Sequence, residues 1–207
     1  MSMRKVAVGA SLALAMLVSG CVGVNTFRTY YDAPVSSQMS KGWRVTDVRV
    51  LAPRSLVASE ERSLAPDGDI IWREDPPGDR HKQVEGLVRD AVRQGARGLR
   101  GQRAVRLEAT ITKFHALTFE AEALRYDVGV HNVDFIIRAV DARSGAVLAG
   151  PTAIEAALPA MTGGRMIEAR MHGQTQRSQI SAHLRKVVAG WLGAGPDPRA
   201  TFERFGR

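Results

Sequence analysis

Val105-Arg106-Leu107-Glu108-Ala109-Thr110-Ile111-Thr112 alternates apolar and polar side chains without a break. A period of two places one face of a β-strand against a core and the other in water. The same parity resumes at Leu117, Phe119, Ala121 and Ala123, set against Thr118, Glu120 and Glu122, while Lys113 and His115 fall on the apolar side between the two halves. Either one strand bends there through a bulge or two strands meet at an edge. Residues 133–140 form the most apolar run, Asp141-Ala142-Arg143-Ser144-Gly145 has the chemistry of a hairpin turn, and residues 147–158 return as its partner, broken near Gly150-Pro151. An antiparallel core sheet is expected.

Upstream, Trp43 to Val50 carries Val45, Val48 and Val50 among charged residues and reads as the first strand. Shorter apolar patches at 56–59 and 70–72 flank the turn Pro66-Asp67-Gly68-Asp69. The paired prolines of Glu74-Asp75-Pro76-Pro77-Gly78-Asp79 exclude a helix interior, so this is a loop feeding a helix capped by Asp79. Val84, Leu87, Val88, Ala91 and Val92 then follow helical spacing, and Gly95 and Gly98 are candidates for a left-handed stop. A weaker helical stretch spans 165–172. A second firm stripe runs through Ile180, Leu184, Val187, Val188, Trp191 and Leu192 and ends at Gly193-Ala194-Gly195-Pro196. This order predicts an α+β fold: a single two-layer domain, its mostly antiparallel sheet packed against two main helices.

The ends read differently. Arg4 and Lys5 precede an apolar run from Val6 to Val18, which at about 1.5 Å per residue covers only about 20 Å, too short for a hydrocarbon core of about 30 Å. A cleaved export signal over residues 1–20 is expected. Leu17-Val18-Ser19-Gly20-Cys21 is similar to the lipobox of bacterial lipoproteins. That resemblance implies cleavage before Cys21 and acylation of its sulfur and new N-terminus, and Val22 after it favours the outer membrane. Residues 21–42, polar and small with Pro34, read as a lipidated N-terminus and tether, although Phe27, Tyr30 and Tyr31 leave docking on the domain open. The domain itself is expected over 43–195. The tail 196–207 carries Phe202 and Phe205, and whether it is ordered stays open.

Removing residues 1–20 takes away Arg4 and Lys5 and no acid, so the net charge falls by two, from +8 to +6. A basic surface in the periplasm meets lipopolysaccharide phosphate, anionic lipid or cell-wall carboxylate, and no nucleic acid. The single cysteine excludes an internal disulfide and a cysteine-based zinc site. No catalytic signature is present: neither Gly-x-Ser-x-Gly nor His-Glu-x-x-His occurs. The only place where imidazoles and carboxylates could converge is His115 and His131 with Glu120, Glu122 and Asp134, and strand parity sets His115 opposite to the two glutamates. Gly95, Gly98 and Gly101 follow a helix and precede a strand, the reverse of a phosphate-binding loop. The segment around Trp72, with Arg73, Glu74, Asp75 and Arg80, mixes an aromatic with both charge signs and is the candidate binding surface; the competing reading is a structural loop pinned by a buried Trp72.

Trp43-Arg44-Val45-Thr46-Asp47-Val48, residues 71–80, residues 114–123 and Val130-His131-Asn132-Val133-Asp134-Phe135 together resemble an uncharacterised family of alphaproteobacterial lipoproteins of the Rhodobacterales type, a domain of unknown function. The resemblance brings no activity, cofactor, metal or catalytic residue. On lipobox, size and element order alone the chain also resembles auxiliary lipoproteins of ABC-type envelope transport and lipoprotein activators of peptidoglycan synthases. The expected function is therefore a non-enzymatic accessory module of the envelope. It would be held at the membrane by acylated Cys21 and bind an envelope protein or an anionic envelope polymer, with the oligomeric state left open. The alternatives are a hydrolase with a dispersed site and a lipid or glycolipid carrier with a cavity between sheet and helices.

Overall fold

The computed structural model describes residues 24–126 and 128–205. The expected export signal, the lipobox-like stretch and Cys21 lie outside the described residues. The alternating run is the centre of strand β4 (Arg103–His115), paired along its length with the antiparallel strand β5 (Val130–Asp141). Val105, Leu107, Ala109 and Ile111 are buried. Ile111 faces Phe135 and Lys113 faces Asp134, so Thr112 has no opposite number. This single-residue bulge reverses the parity: Phe114 turns into the core, and Lys113 and His115 turn out of it.

The resumed alternation at 117–123 is not a strand. It forms a short helix, α3 (Phe119–Glu122), whose Thr118 hydroxyl accepts the Ala121 amide at 3.1 Å. A threonine N-cap followed by two glutamates in the first turn outweighs four residues of period-two pattern.

Strand β2 (Trp43–Leu51), preceded by the single turn α1 (Ser37–Ser40), runs parallel to the first part of β4, and β3 (Ile70–Ile71) runs parallel to its end. A parallel pair needs a crossover, and the one from β2 to β4 carries helix α2 (Arg80–Gly95). On the other side β5 pairs with antiparallel β6 (Val147–Pro159). The connecting turn is closed by the Asp141 carboxylate, which accepts the amides of Arg143 and Ser144, and by Gly145 at φ +74°.

The sheet is completed by the two ends of the chain. Strand β1 (Val24–Tyr30) pairs with β6 through Thr29 and Tyr30, and with β7 (Ala200–Phe205) from Val24 opposite Phe205 to Thr29 opposite Ala200. The strand order is β2-β4-β5-β6-β1-β7. The expected tether at 21–42 is thus corrected from Val24 onward, where β1 begins, and the tail at 196–207, whose order the sequence left open, contributes β7. Neither shows a sustained alternation because most residues of this ribbon, such as Asn25, Thr26, Thr201 and Glu203, face water. Phe27 and Phe202 stack across it with centroids 5.8 Å apart. Tyr31 is buried beneath Arg199, whose guanidinium lies 5.1 Å from its ring.

α2 and helix α5 (Gln176–Trp191) pack together and cover one face of the sheet. α2 starts at Asp79, whose carboxylate accepts the Lys82 amide at 3.1 Å, and α5 starts with a capping box between Thr175 and Ser178. Val84, Leu87, Val88 and Val92 meet Ile180, Leu184, Val187 and Val188 in the core. The opposite face carries a ladder of ion pairs: Arg106 and Arg138 on Glu108, Lys113 on Asp134, and Arg28 on Glu155. These pairs are partly solvated and set register and solubility more than stability. Helix α4 (Gly163–Met171) lies at one end, with Met166 and Ala169 buried. No helix of the described residues is long and apolar enough to cross a membrane.

Gly95 does not adopt the expected left-handed conformation; it is the last helical residue of α2, and α5 explains it. A Cβ there would stand 2.8 Å from the Arg185 carbonyl oxygen and 2.9 Å from Val188 Cβ. Gly95→Ala is expected to destabilise the fold by about 1–3 kcal/mol through overpacking, although alanine is the better helix former by about 1 kcal/mol. Thermal unfolding measures it, and an unchanged or raised Tm would show that the helices separate without cost.

Candidate functional site

The segment around Trp72 turns inward. Trp72 is fully buried by the β3–β4 pairing, its edge on Phe114 with centroids 5.5 Å apart. Its indole N–H donates to Asp75 Oδ2 at 2.8 Å. The same carboxylate accepts Arg177 from α5, whose guanidinium stands 5.3 Å from the indole. Arg80, also buried, donates to Glu60 at 2.7 Å, to Gln83 at 2.8 Å and to the carbonyls of Asp75 and Pro76. Arg73 joins it on Glu60. Glu74 accepts Arg170 of α4 at 2.8 Å, and Arg170 grips Glu122 with two further bonds at 3.0 and 2.8 Å. The geometry is that of a structural loop pinned by its tryptophan. Trp72 and Arg80 are tied to Asp75, Arg73 and Arg80 to Glu60, and Glu74 and Asp75 to α4 and α5, and Trp72 has no surface to offer a partner.

The histidines do not converge. His115 pairs across the ladder with Asn132, so His131, next along β5, points to the opposite face of the sheet. His115 is held by the Gly68 carbonyl at 2.8 Å, and burial lowers its pKa. His131 is fully buried on the helix side, where neither ring nitrogen has a partner among the described residues. Burial, with His183 adding to it, holds its pKa down to about 3. Glu122 belongs to Arg170, and Glu120 pairs with Arg62. Among the described residues no three His, Cys, Asp or Glu side chains gather to hold a metal ion.

A recess without any signature in the sequence, of about 740 Å³, opens where β4 ends and β5 begins, within the size range of small-molecule sites, about 300–1,000 Å³. Ala116, Leu117 and Ala121 wall it from the β4 end, and Leu124, Val128 and Val130 from the approach to β5. Leu64 and Pro66 close one side, and Phe27 and Arg204 of the β1–β7 ribbon another. Nothing of α2 or α5 lines it, so it is not a gap between sheet and helices. Its polar members are Asn25, His115, Thr118, Asn132 and Arg204, of which His115 and Thr118 bond to the carbonyls of Gly68 and Ser63 and thereby hold the 63–68 loop in place. Arg204 differs, because its buried Nε has no hydrogen-bond partner among the described residues. Around the lining, large apolar side chains face water: Leu64 is 58% exposed, Phe119 53% and Tyr126 76%.

No curated protein matches the chain. Among solved structures it is similar to a PelC dodecamer from Paraburkholderia phytofirmans, at 12% identity and a TM-score of 0.32 over 81% of this chain and 96% of that one. It is also similar to a protein of Caulobacter crescentus CB15 provisionally named a lipoprotein, at 14% identity and a TM-score of 0.33 over 76% and 95%. At TM-scores of that size neither likeness bears on function. From Trp43 onward the sequence matches the model of a family of unknown function, DUF6778, over residues 43–207, and the chain belongs to that family.

Proposed function

We propose that the chain is a membrane-anchored lipoprotein of the bacterial envelope, held by acylated Cys21 and facing the periplasm from the outer membrane. It works there by binding as a non-enzymatic accessory of an envelope protein or polymer. The recess carries this reading. It is walled by apolar side chains, and two of its polar members are committed to backbone carbonyls, which suits retention of a ligand or partner segment more than bond-breaking. It also lies beside the first described residues: Asn25 and Phe27 line it, and three peptide links, at most about 11 Å, separate Cys21 from Val24. An anchor at Cys21 would therefore keep the recess close to the membrane surface. The lipobox-like Leu17-Val18-Ser19-Gly20-Cys21 supports the anchor, and the basic balance supports an anionic setting.

The test is affinity purification of a tagged, lipidated copy from crosslinked cells beside Cys21→Ser and Val128→Trp copies, the last placing a large side chain in the recess. A discrete set of envelope proteins is expected from the first two and is lost with the third. Recovery of nothing beyond abundant porins, or the same set from all three, overturns the reading.

A further inference from the structure

We infer that the recess takes a long acyl chain of an anionic membrane lipid, with Arg204 meeting the lipid's negative group. This rests on the recess being the chain's binding site and names the class of ligand.

Three independent observations converge on it. Leu117, Ala121, Leu124, Val128 and Val130 form a continuous hydrocarbon wall, with the polar members Asn25, His115, Thr118, Asn132 and Arg204 set around it, a division that suits an amphiphile with a long chain and a polar end. Next, Arg204 brings a positive charge to the lining while its buried Nε has no hydrogen-bond partner among the described residues, and an anion meeting the guanidinium would supply a charge-assisted bond. Arg204 lies on the lining of the recess, so the polar end of an amphiphile would meet it while the chain lies along the apolar wall. Finally, Leu64, Phe119 and Tyr126 present apolar surface to water in segments that also line the recess, and Arg125, exposed, adjoins Tyr126. Exposed aromatic and aliphatic side chains beside arginines are the composition of a surface that sits in the headgroup region of an anionic bilayer. The occupant is therefore drawn from the membrane and not from the aqueous pool.

The chain bearing Cys21→Ser is titrated with cis-parinaric acid, whose fluorescence rises in an apolar site. Saturable binding of one molecule per chain is expected, displaced by lysophosphatidylglycerol at least as well as by palmitate and not by glycerol phosphate. Val128→Trp is expected to weaken binding at least tenfold with an unchanged circular dichroism spectrum. Arg204→Gln is expected to weaken parinarate about fivefold and leave the affinity for hexadecanol unchanged. Absence of saturable binding, or equal binding by Val128→Trp, overturns the proposal. Displacement by palmitate alone would overturn the membrane-lipid source, and displacement by glycerol phosphate alone would make this an anion site without an acyl chain. If parinarate does not bind while the crosslinked partners still depend on Val128, the acyl inference falls and the accessory reading stands. If parinarate binds and no partner is recovered, the reverse holds.

Discussion

Lowering the pH from 6.5 to 4.5 is expected to remove about 4 kcal/mol of folding stability through His131 and His183 alone, which in the fold refuse protons that the unfolded chain accepts. Burial holds His131 at about 3, with His183 contributing, and holds His183 at about 4, with Lys186 contributing. The Thr29 hydroxyl donates its proton to the Ala157 carbonyl, so His183 Nε2, 3.0 Å from the same oxygen, is the donor to it in its neutral tautomer. Well above pH 6.5 both imidazoles are neutral in both states and the stability is fully present. Below it the unfolded chain binds more protons than the fold, and each histidine removes up to about 1.4 kcal/mol per pH unit until its folded value is reached.

Lowered carboxylates such as Asp79 and Asp197, both near 2, lose their stabilising contribution only further down, as pH falls through their own folded values. Asp134, raised by burial, acts in the opposite sense. The window between 6.5 and 4.5 is therefore dominated by the histidines, and His115, lowered by burial, adds to it in the same sense. Chemical denaturation at a series of pH values measures the slope, and His131→Leu is expected to remove somewhat less than half of it. At pH 7 the same substitution should add about 1 kcal/mol, since it removes two buried nitrogens that have no partner among the described residues. A slope that His131→Leu leaves unchanged would show that His131 is hydrated or charged in the fold.

The parts of this fold that are legible in the sequence are those where one element faces one environment along its whole length. Val105 to Ile111 and the stripes of α2 and α5 repeat a single period often enough to decide strand or helix. The conflict at Lys113 and His115 signalled the bulge, because two charged or polar residues on the apolar side must be turned outward. Residues 117–123 misled, since a one-turn helix is too short to show a period of its own. The outer ribbon left no pattern, because its stabilising contacts join residues at opposite ends of the chain, Phe27 with Phe202 and Tyr31 with Arg199. The recess was illegible for a related reason. It is assembled from the 63–68 loop, the end of β4, the approach to β5 and the β1–β7 ribbon, none of which bears a local signature. The Trp72 segment has the composition of a binding surface, yet its charges find partners on α4 and α5 that only the folded chain brings near.

The second large effect concerns that ionic cluster and its reach into the recess. Arg170 holds Glu74 and Glu122, which are 12% and 14% exposed, and its pKa is raised by the hydrogen bonds to Glu122. Gln176, at the start of α5, donates to Glu122 and accepts the Leu117 amide at 3.1 Å. One guanidinium thus links α4, the 72–79 loop, α3 and, through Gln176, the end of β4. Arg170→Met is expected to cost about 3 kcal/mol, because two largely buried carboxylates lose their counter-charge, and Glu74 Oε2 already lacks a partner among the described residues. Replacing all three charges, with Arg170→Met, Glu74→Gln and Glu122→Gln together, should restore most of that, since no charge is then left buried and alone. Urea denaturation of the single and triple variants measures the difference, and equal stabilities would mean that the carboxylates are solvated independently of Arg170. Leu117 and Ala121 line the recess. Faster hydrogen exchange at the Leu117 amide in the single variant, recovered in the triple, would show that the cluster braces the wall of the recess.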